Sequence, residues 1–185
     1  MARRRAPVPQ RERVFLAGEG ESEAAFGAWL NGLCEGARLH LHLDVQPLGG
    51  GDPLALVEQA IRLRAARSGR NLIYKASVLL IDTDRLDDGS ERSRRAIATA
   101  SRGDLRLVRQ RPRFESLVLR LHARHERTFL FGADIDVRLG RVWSDYKKGR
   151  VTRYDLSRRF THADLLRAAA CDEELQALVA LLGLR

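Results

Sequence analysis

In Ser77-Val78-Leu79-Leu80-Ile81-Asp82-Thr83-Asp84, four large aliphatic residues in succession are ended abruptly by acids. Such a run reads as a strand buried on both faces, and strands of that kind belong to parallel sheets covered by helices on each side. Upstream, Leu39-His40-Leu41-His42-Leu43-Asp44-Val45 alternates strictly, which predicts a strand with one apolar face near the edge of the sheet. Between the two, Gly49-Gly50-Gly51 breaks the chain. Asp52 and Pro53 then supply an N-cap and a first helical position, and Leu54, Val57 and Ile61 continue a helix to about Arg67. Further back, Val14-Phe15-Leu16-Ala17 is a short apolar strand that leaves the sheet through Gly18-Glu19-Gly20. The helix after it carries Phe26, Trp29, Leu30 and Leu33 on one face and stops at Gly36.

Downstream the alternation continues. A helix is expected around Ser90–Ala100 and a strand near Leu105–Arg109, followed by a helix that Pro112 opens, with Phe114, Leu117, Val118 and Leu121 as its buried stripe. Residues 127–160 read as less regular, basic and aromatic. Thr161 with Asp164 forms a capping box, and Asp172 caps a last helix carrying Leu175, Leu178, Val179 and Leu182. The pattern predicts an α/β fold: a parallel sheet flanked by helices, with a helical C-terminal extension.

The chain has 185 residues, enough for one core, so residues 14–185 are expected to form a single domain behind a flexible basic tail at 1–13. No apolar run reaches the ~18–20 residues of a membrane span, and Met1-Ala2-Arg3-Arg4-Arg5-Ala6-Pro7 lacks the apolar middle of a secretion signal. A cytoplasmic protein without a membrane partner is expected. Cys34 and Cys171 are too few for a disulfide framework. The 33 basic residues exceed the 24 acidic by nine, which points to a polyanion such as nucleic acid. Only Lys75, Lys147 and Lys148 among the 33 are lysines.

In an open parallel sheet, ligands bind beyond the carboxyl ends of the strands. Glu19 follows the first strand, Glu23 lies one turn into the next helix, and Asp82 and Asp84 follow the central strand. If the backbone stays extended through Asp82-Thr83-Asp84, both carboxylates point the same way. Taken singly, each acid reads as a capping or helix-dipole residue. Jointly, clustered carboxylates need a cation to offset their repulsion, and all-oxygen ligands suit Mg²⁺ or Mn²⁺.

Phe15-Leu16-Ala17-Gly18-Glu19-Gly20-Glu21-Ser22-Glu23, followed by Leu79-Leu80-Ile81-Asp82-Thr83-Asp84, resembles the TOPRIM signature of a Gly-Glu-Gly turn and a later DxD run. Arg111-Pro112-Arg113-Phe114-Glu115-Ser116-Leu117 resembles the Asn-Pro-x-Phe-Glu-x-Trp segment of the RloB-like branch, with Arg111 and Leu117 departing from it, and Tyr146-Lys147-Lys148 resembles its Tyr-x-Lys segment. The resemblance implies a TOPRIM-like fold and a Mg²⁺-dependent nuclease of bacterial defence, related to the OLD-type nucleases and acting on DNA or RNA, and it leaves room for a partner protein of that system. It also implies Glu19 as general acid or base, Asp82 and Asp84 as metal ligands, and Glu23 as ligand to a second metal.

Three further features bear on function. Glu115 lies off the apolar stripe of its helix and so faces either the site or solvent, and Lys147 is the candidate cation for developing phosphate charge, or else a solvated lysine of a basic loop. Residues 141–160 hold Arg141, Lys147, Lys148, Arg150, Arg153, Arg158 and Arg159, interleaved with Trp143, Tyr146, Tyr154 and Phe160. That composition suits a nucleic-acid groove in which Arg141, Lys148, Arg150 and Arg153 follow the backbone, or else a core of rings with a solvated basic rim. His40 with His42 and His122 with His125 have spacings that zinc could use, but no third ligand accompanies them. Two other classes compete with a nuclease: a non-catalytic nucleic-acid-binding subunit with a vestigial metal site, and a receiver-like phosphotransfer domain, which Gly18-Glu19-Gly20 fits poorly.

Overall fold

The computed structural model describes residues 10–69 and 73–185. Most of the expected basic tail, residues 1–9, lies outside them, and its predicted end at residue 13 is corrected. The first strand, β1, runs Glu12–Gly18 and takes in Glu12 and Arg13, because both pair in register with the edge strand.

After β1 come α1 (Glu21–Gly36), β2 (Leu41–Pro47), α2 (Pro53–Arg67), β3 (Tyr74–Asp82), a single turn α3 (Thr83–Leu86), α4 (Glu91–Arg102) and β4 (Arg106–Gln110). The four strands are parallel in the order β2-β1-β3-β4, so β2 is at an edge as its alternation predicts. Inside the sheet the strands bury both faces. Val14, Leu16, Val78 and Leu80 meet α1 and the C-terminal helices, while Phe15, Ala17, Leu79 and Ile81 meet α2 and α4. Each large side chain removed from water contributes about 1.5–3 kcal/mol, which is why the continuous apolar run of β3 lies in the interior. Asp44 of β2 departs from simple alternation. It is buried, accepting hydrogen bonds from Arg13, Tyr74 and Gln46.

Beyond the sheet, α5 (Phe114–Leu121), α6 (Ala133–Val142), α7 (Arg153–Arg159), α8 (His162–Ala169) and α9 (Glu173–Leu182) complete the chain. The helical C-terminus is as expected, and Thr161 and Asp172 cap α8 and α9. Three local expectations are corrected. The stretch 127–160 contains two helices, α6 and α7, because Ile135, Leu139 and Leu156 bury an apolar stripe that the arginines mask in the sequence. Pro112 precedes α5 instead of opening it, with Arg113 as the N-cap. His122 ends α5, so His122 and His125 do not share a helix face.

All eight residues of α5 are buried, including Arg120. Arg120 is fully buried and its Nη2 donates to Asp172 Oδ2 at 2.6 Å, while Nη1 donates to the carbonyl of Arg111. Asp172 also caps α9 by accepting from the Leu175 N–H. One carboxylate therefore neutralises a buried guanidinium and starts the last helix. Asp172→Ala strands that charge in the core and is expected to cost about 3–5 kcal/mol in chemical denaturation. A loss below about 1 kcal/mol would show that Arg120 finds another partner.

Candidate metal and phosphate site

The strand order reverses direction between β1 and β3, and at such a point the first connections after the two strands leave on opposite sides and open a crevice at their carboxyl ends. Glu19 follows β1 and Asp82 ends β3, so the two acids flank this crevice. Gly18 permits the close approach that forms it. A Cβ there would collide with the Cβ of Glu23, so any other residue would push the first turn of α1 off the strand. Glu23 is thereby held inward, and its Oε2 accepts from the Gly20 N–H at 3.0 Å.

Asp82 is fastened from the other side. Its Oδ1 accepts from the Phe114 N–H at 2.8 Å, which joins the end of β3 to the start of α5. The chain does not stay extended after it: the N–H groups of Thr83 and Asp84 both donate to the Pro112 carbonyl and α3 begins at once. The extended DxD pair is thus corrected. Asp84 reaches the crevice from a helical turn, and both acids still line one cavity.

The cavity holds about 440 Å³ and is lined by six carboxylates, Glu19, Glu21, Glu23, Asp82, Asp84 and Glu115, against three basic side chains, Arg85, Arg113 and Lys148. The charge imbalance shows in the acids themselves. Burial, then the charges of Glu23, Glu19, Asp84 and Glu115, push the Asp82 carboxyl up to about 8. Burial raises Glu19, with Asp84 adding to it, and burial raises Glu23, with Glu19 and Glu115 adding to it. Ser22 also lines the cavity, and its buried hydroxyl has no hydrogen-bond partner among the described residues.

An excess of carboxylate, with Glu23 and Glu115 buried, and an unsatisfied hydroxyl are what a hard divalent cation would relieve. Glu19, Asp82 and Asp84, with Glu23 alongside, are the acids of the lining that would hold it. Among the described residues, no three acids, histidines or cysteines form a ready ligand set. Mg²⁺ commonly takes one or two carboxylates and completes its octahedron with water and substrate phosphate, so a full set of protein ligands is not what it requires.

The predicted cations fall differently. Lys148, expected on a nucleic-acid backbone, lies in the acid cavity with its Nζ 3.5 Å from Glu115. Lys147, expected at the chemistry, faces a separate basic cavity of about 520 Å³ with Arg150, Arg158, Arg159, Trp143 and Tyr146. Trp143 and Val151 anchor the ends of this loop in the core, and between them the adjacent lysines line different cavities. Arg141 lies in the last turn of α6 and Arg153 opens α7 with its guanidinium against Gly32, so neither lines either cavity. Of the four rings, Trp143 and Phe160 are core, Tyr146 is half-buried beside Glu115, and Tyr154 is exposed.

Glu115 is buried in the cavity wall between Arg113, Lys148 and the Tyr146 hydroxyl. Arg85, Arg113 and the glycines Gly49 and Gly50 join the cavity lining without having been expected there from the sequence. Of these, only the glycine run carries a sequence signal. The chain matches no family model, no curated protein and no solved structure.

The raised Asp82 carboxyl gives a pH prediction. Between about pH 4 and about pH 8 the folded chain keeps a proton that the unfolded chain has released, so this group's stabilisation is full below about 4 and is lost as pH rises through about 8. Asn cannot take the charged form. In EDTA, the melting temperature of Asp82→Asn should therefore gain on wild type as pH rises across that window, and Mn²⁺ should narrow the gap by stabilising wild type. A gap independent of pH would contradict the buried, crowded carboxyl.

Proposed function

We propose that the chain is a divalent-metal-dependent phosphodiesterase acting on nucleic acid, a nuclease of the TOPRIM type with Mg²⁺ or Mn²⁺ as cofactor. The observation that carries this reading is the carboxylate-rich cavity at the β1/β3 crevice with a basic cavity beside it, joined through one loop. No described helix is long and apolar enough to cross a membrane, and the net charge of +9 favours a polyanionic substrate.

Each residue's contribution follows from its place. A divalent ion, when bound, supplies a Lewis acid for the phosphate and lowers the pKa of a water. Glu19, whose carboxyl is raised by burial, is suited to take a proton from the attacking water, since a base is more effective the closer its pKa lies to the working pH. Lys148 offers positive charge where negative charge grows on the phosphate oxygens, while Glu115 holds it in place. Lys147, Arg150, Arg158 and Arg159 receive a neighbouring phosphate of the same strand in the basic cavity.

A second reading is supported by the spacing of the acids. Since no ready ligand set exists among the described residues, the chain could bind nucleic acid as a subunit whose metal site is vestigial. Glu19→Gln and Asp84→Asn separate the two. Under the enzymatic reading each lowers Mg²⁺- or Mn²⁺-dependent cleavage of labelled DNA or RNA by about 10²–10⁴-fold, leaving affinity equal or higher because a carboxylate that repels phosphate is gone. Purified wild type that cuts no substrate with either metal would favour the binding subunit.

The basic cavity predicts a salt effect. Removing Lys147, Arg150 and Arg158 together should weaken binding and flatten the slope of log K against log salt by roughly 0.7–0.9 for each phosphate that is no longer neutralised. An unchanged slope in filter-binding titrations would move the phosphate path elsewhere.

A further inference from the structure

On the other side of the acid cluster lies a cavity of about 640 Å³ whose walls are largely apolar, formed by Thr83, Asp84, Pro112, Arg113, Phe129 and Phe131. Residues 128–131 belong to no helix or strand, and exposure alternates along them. Leu130 packs partly against the core, and Phe129 and Phe131 stand 53% and 74% exposed. A phenylalanine left in water contributes none of the stabilisation that burial would give, so stability does not explain two of them on one wall.

The rings are not on a loose loop. Arg113 Nη2 donates to the Gly132 carbonyl at 3.1 Å, and the same guanidinium pairs with Glu115 at 3.4 Å and Asp136 at 2.7 Å. Gly132 turns the chain at φ +56°, a conformation that favours glycine. Beneath Phe129 lies the Arg120 guanidinium, 5.4 Å from the ring centre. Asp84 and Arg113 belong to both cavities, so Arg113 ties the aromatic wall to the carboxylates.

We propose that this cavity takes one unpaired nucleobase of the strand whose phosphate lies at the acid cluster, so that the substrate is single-stranded nucleic acid. The inference rests on the reading of the acid cavity as a phosphate site and adds its substrate class. A base one position along from that phosphate meets a ring-lined slot, and Arg111 and Arg113 at its wall complement the flanking negative charge. A base within a duplex has both faces stacked and cannot offer one to Phe131, whereas an unpaired base stacks without regard to sequence. The volume lies within the range of small-ligand pockets, which accommodates a base with its sugar. Two rings set among Asp84, Asp87, Arg111 and Arg113 suit a flat ring on a charged chain better than the broad apolar face of a partner protein.

The test uses the full chain, once in EDTA and once with Ca²⁺, an oxygen-liganded cation that offsets the carboxylates, and the oligonucleotide is checked to be intact after each titration. Oligonucleotides carrying 2-aminopurine at successive positions, single-stranded and in duplex, are titrated with protein while fluorescence and anisotropy are read together. Wild type is expected to quench 2-aminopurine in the single strand but not in the duplex, and to bind the single strand at least roughly tenfold more tightly. Phe131→Ala should remove the quenching and most of that preference, with duplex affinity unchanged, since stacking on one ring is worth roughly tenfold or more. Phe131→Trp should restore both. Phe131 is solvent-facing, so its variants retain the fold, whereas Phe129→Ala also uncovers Arg120 and is a secondary probe.

Binding without quenching, equal affinity for both forms, or quenching that survives Phe131→Ala would overturn the proposal. So would a wild-type dimer in sedimentation that Phe131→Ala dissolves, since the rings would then serve a second copy. Stacking without Mg²⁺- or Mn²⁺-dependent cleavage would leave this inference standing and retire the enzyme. Cleavage without stacking would do the reverse.

Discussion

Six carboxylates share one cavity with three basic side chains, and the fold holds three of the acids in place. Asp82 is held by the backbone of Phe114, Glu23 by the backbone of Gly20, and Glu115 lies within a helix buried on every side. Burial first, and repulsion among these charges after it, make Asp82, Glu19 and Glu23 hold their protons more tightly than free carboxyls, and a cation is the other way to relieve the repulsion. Lys148 and Arg113 supply part of the compensation by pairing with Glu115. The remainder is what a bound cation would offset.

The support for this arrangement reaches far from the cavity. Because Asp82 is bonded to the first residue of α5, the position of α5 sets the position of the acid. In turn α5 is fixed by the sheet on one side and by the buried Arg120–Asp172 pair on another, and Asp172 starts α9. The C-terminal helices therefore contribute to the site without touching it. On the opposite flank, the missing side chain at Gly18 sets how near α1 can come to the strand ends. Two backbone contacts and one absent Cβ thus hold the acids together.

Around the acids the surface divides. Lys147 and Arg150 look into a polar, basic hollow, Lys148 and Gly149 into the acid cavity, and Phe129 and Phe131 edge an apolar one on the far side of Asp84. A nucleotide chain has the same division between charged phosphate and flat apolar base. The adjacency of the three hollows, more than the content of any one, is what supports the proposal of a strand laid across the carboxyl end of the sheet.

The parallel α/β architecture and the caps of α2, α8 and α9 are legible in the amino-acid order, because they follow from local signals: a run of aliphatics with no polar face, and Asp or Thr next to an apolar helical stripe. The same order puts Glu19, Glu23, Asp82 and Asp84 at strand ends, which in a parallel sheet are on one side by topology alone. Which residues of the later segments face those acids is settled only by long-range packing. Lys148 instead of Lys147 reaches them because Trp143 and Val151 are buried at the ends of the loop and fix its turn, and no periodicity in the sequence records that. Asp84 arrives from a helical turn because its N–H finds the Pro112 carbonyl, a partner 28 residues away. Arg113 and the exposed phenylalanines join the site for the same reason: their positions depend on contacts between distant segments, and local propensity carries no information about those.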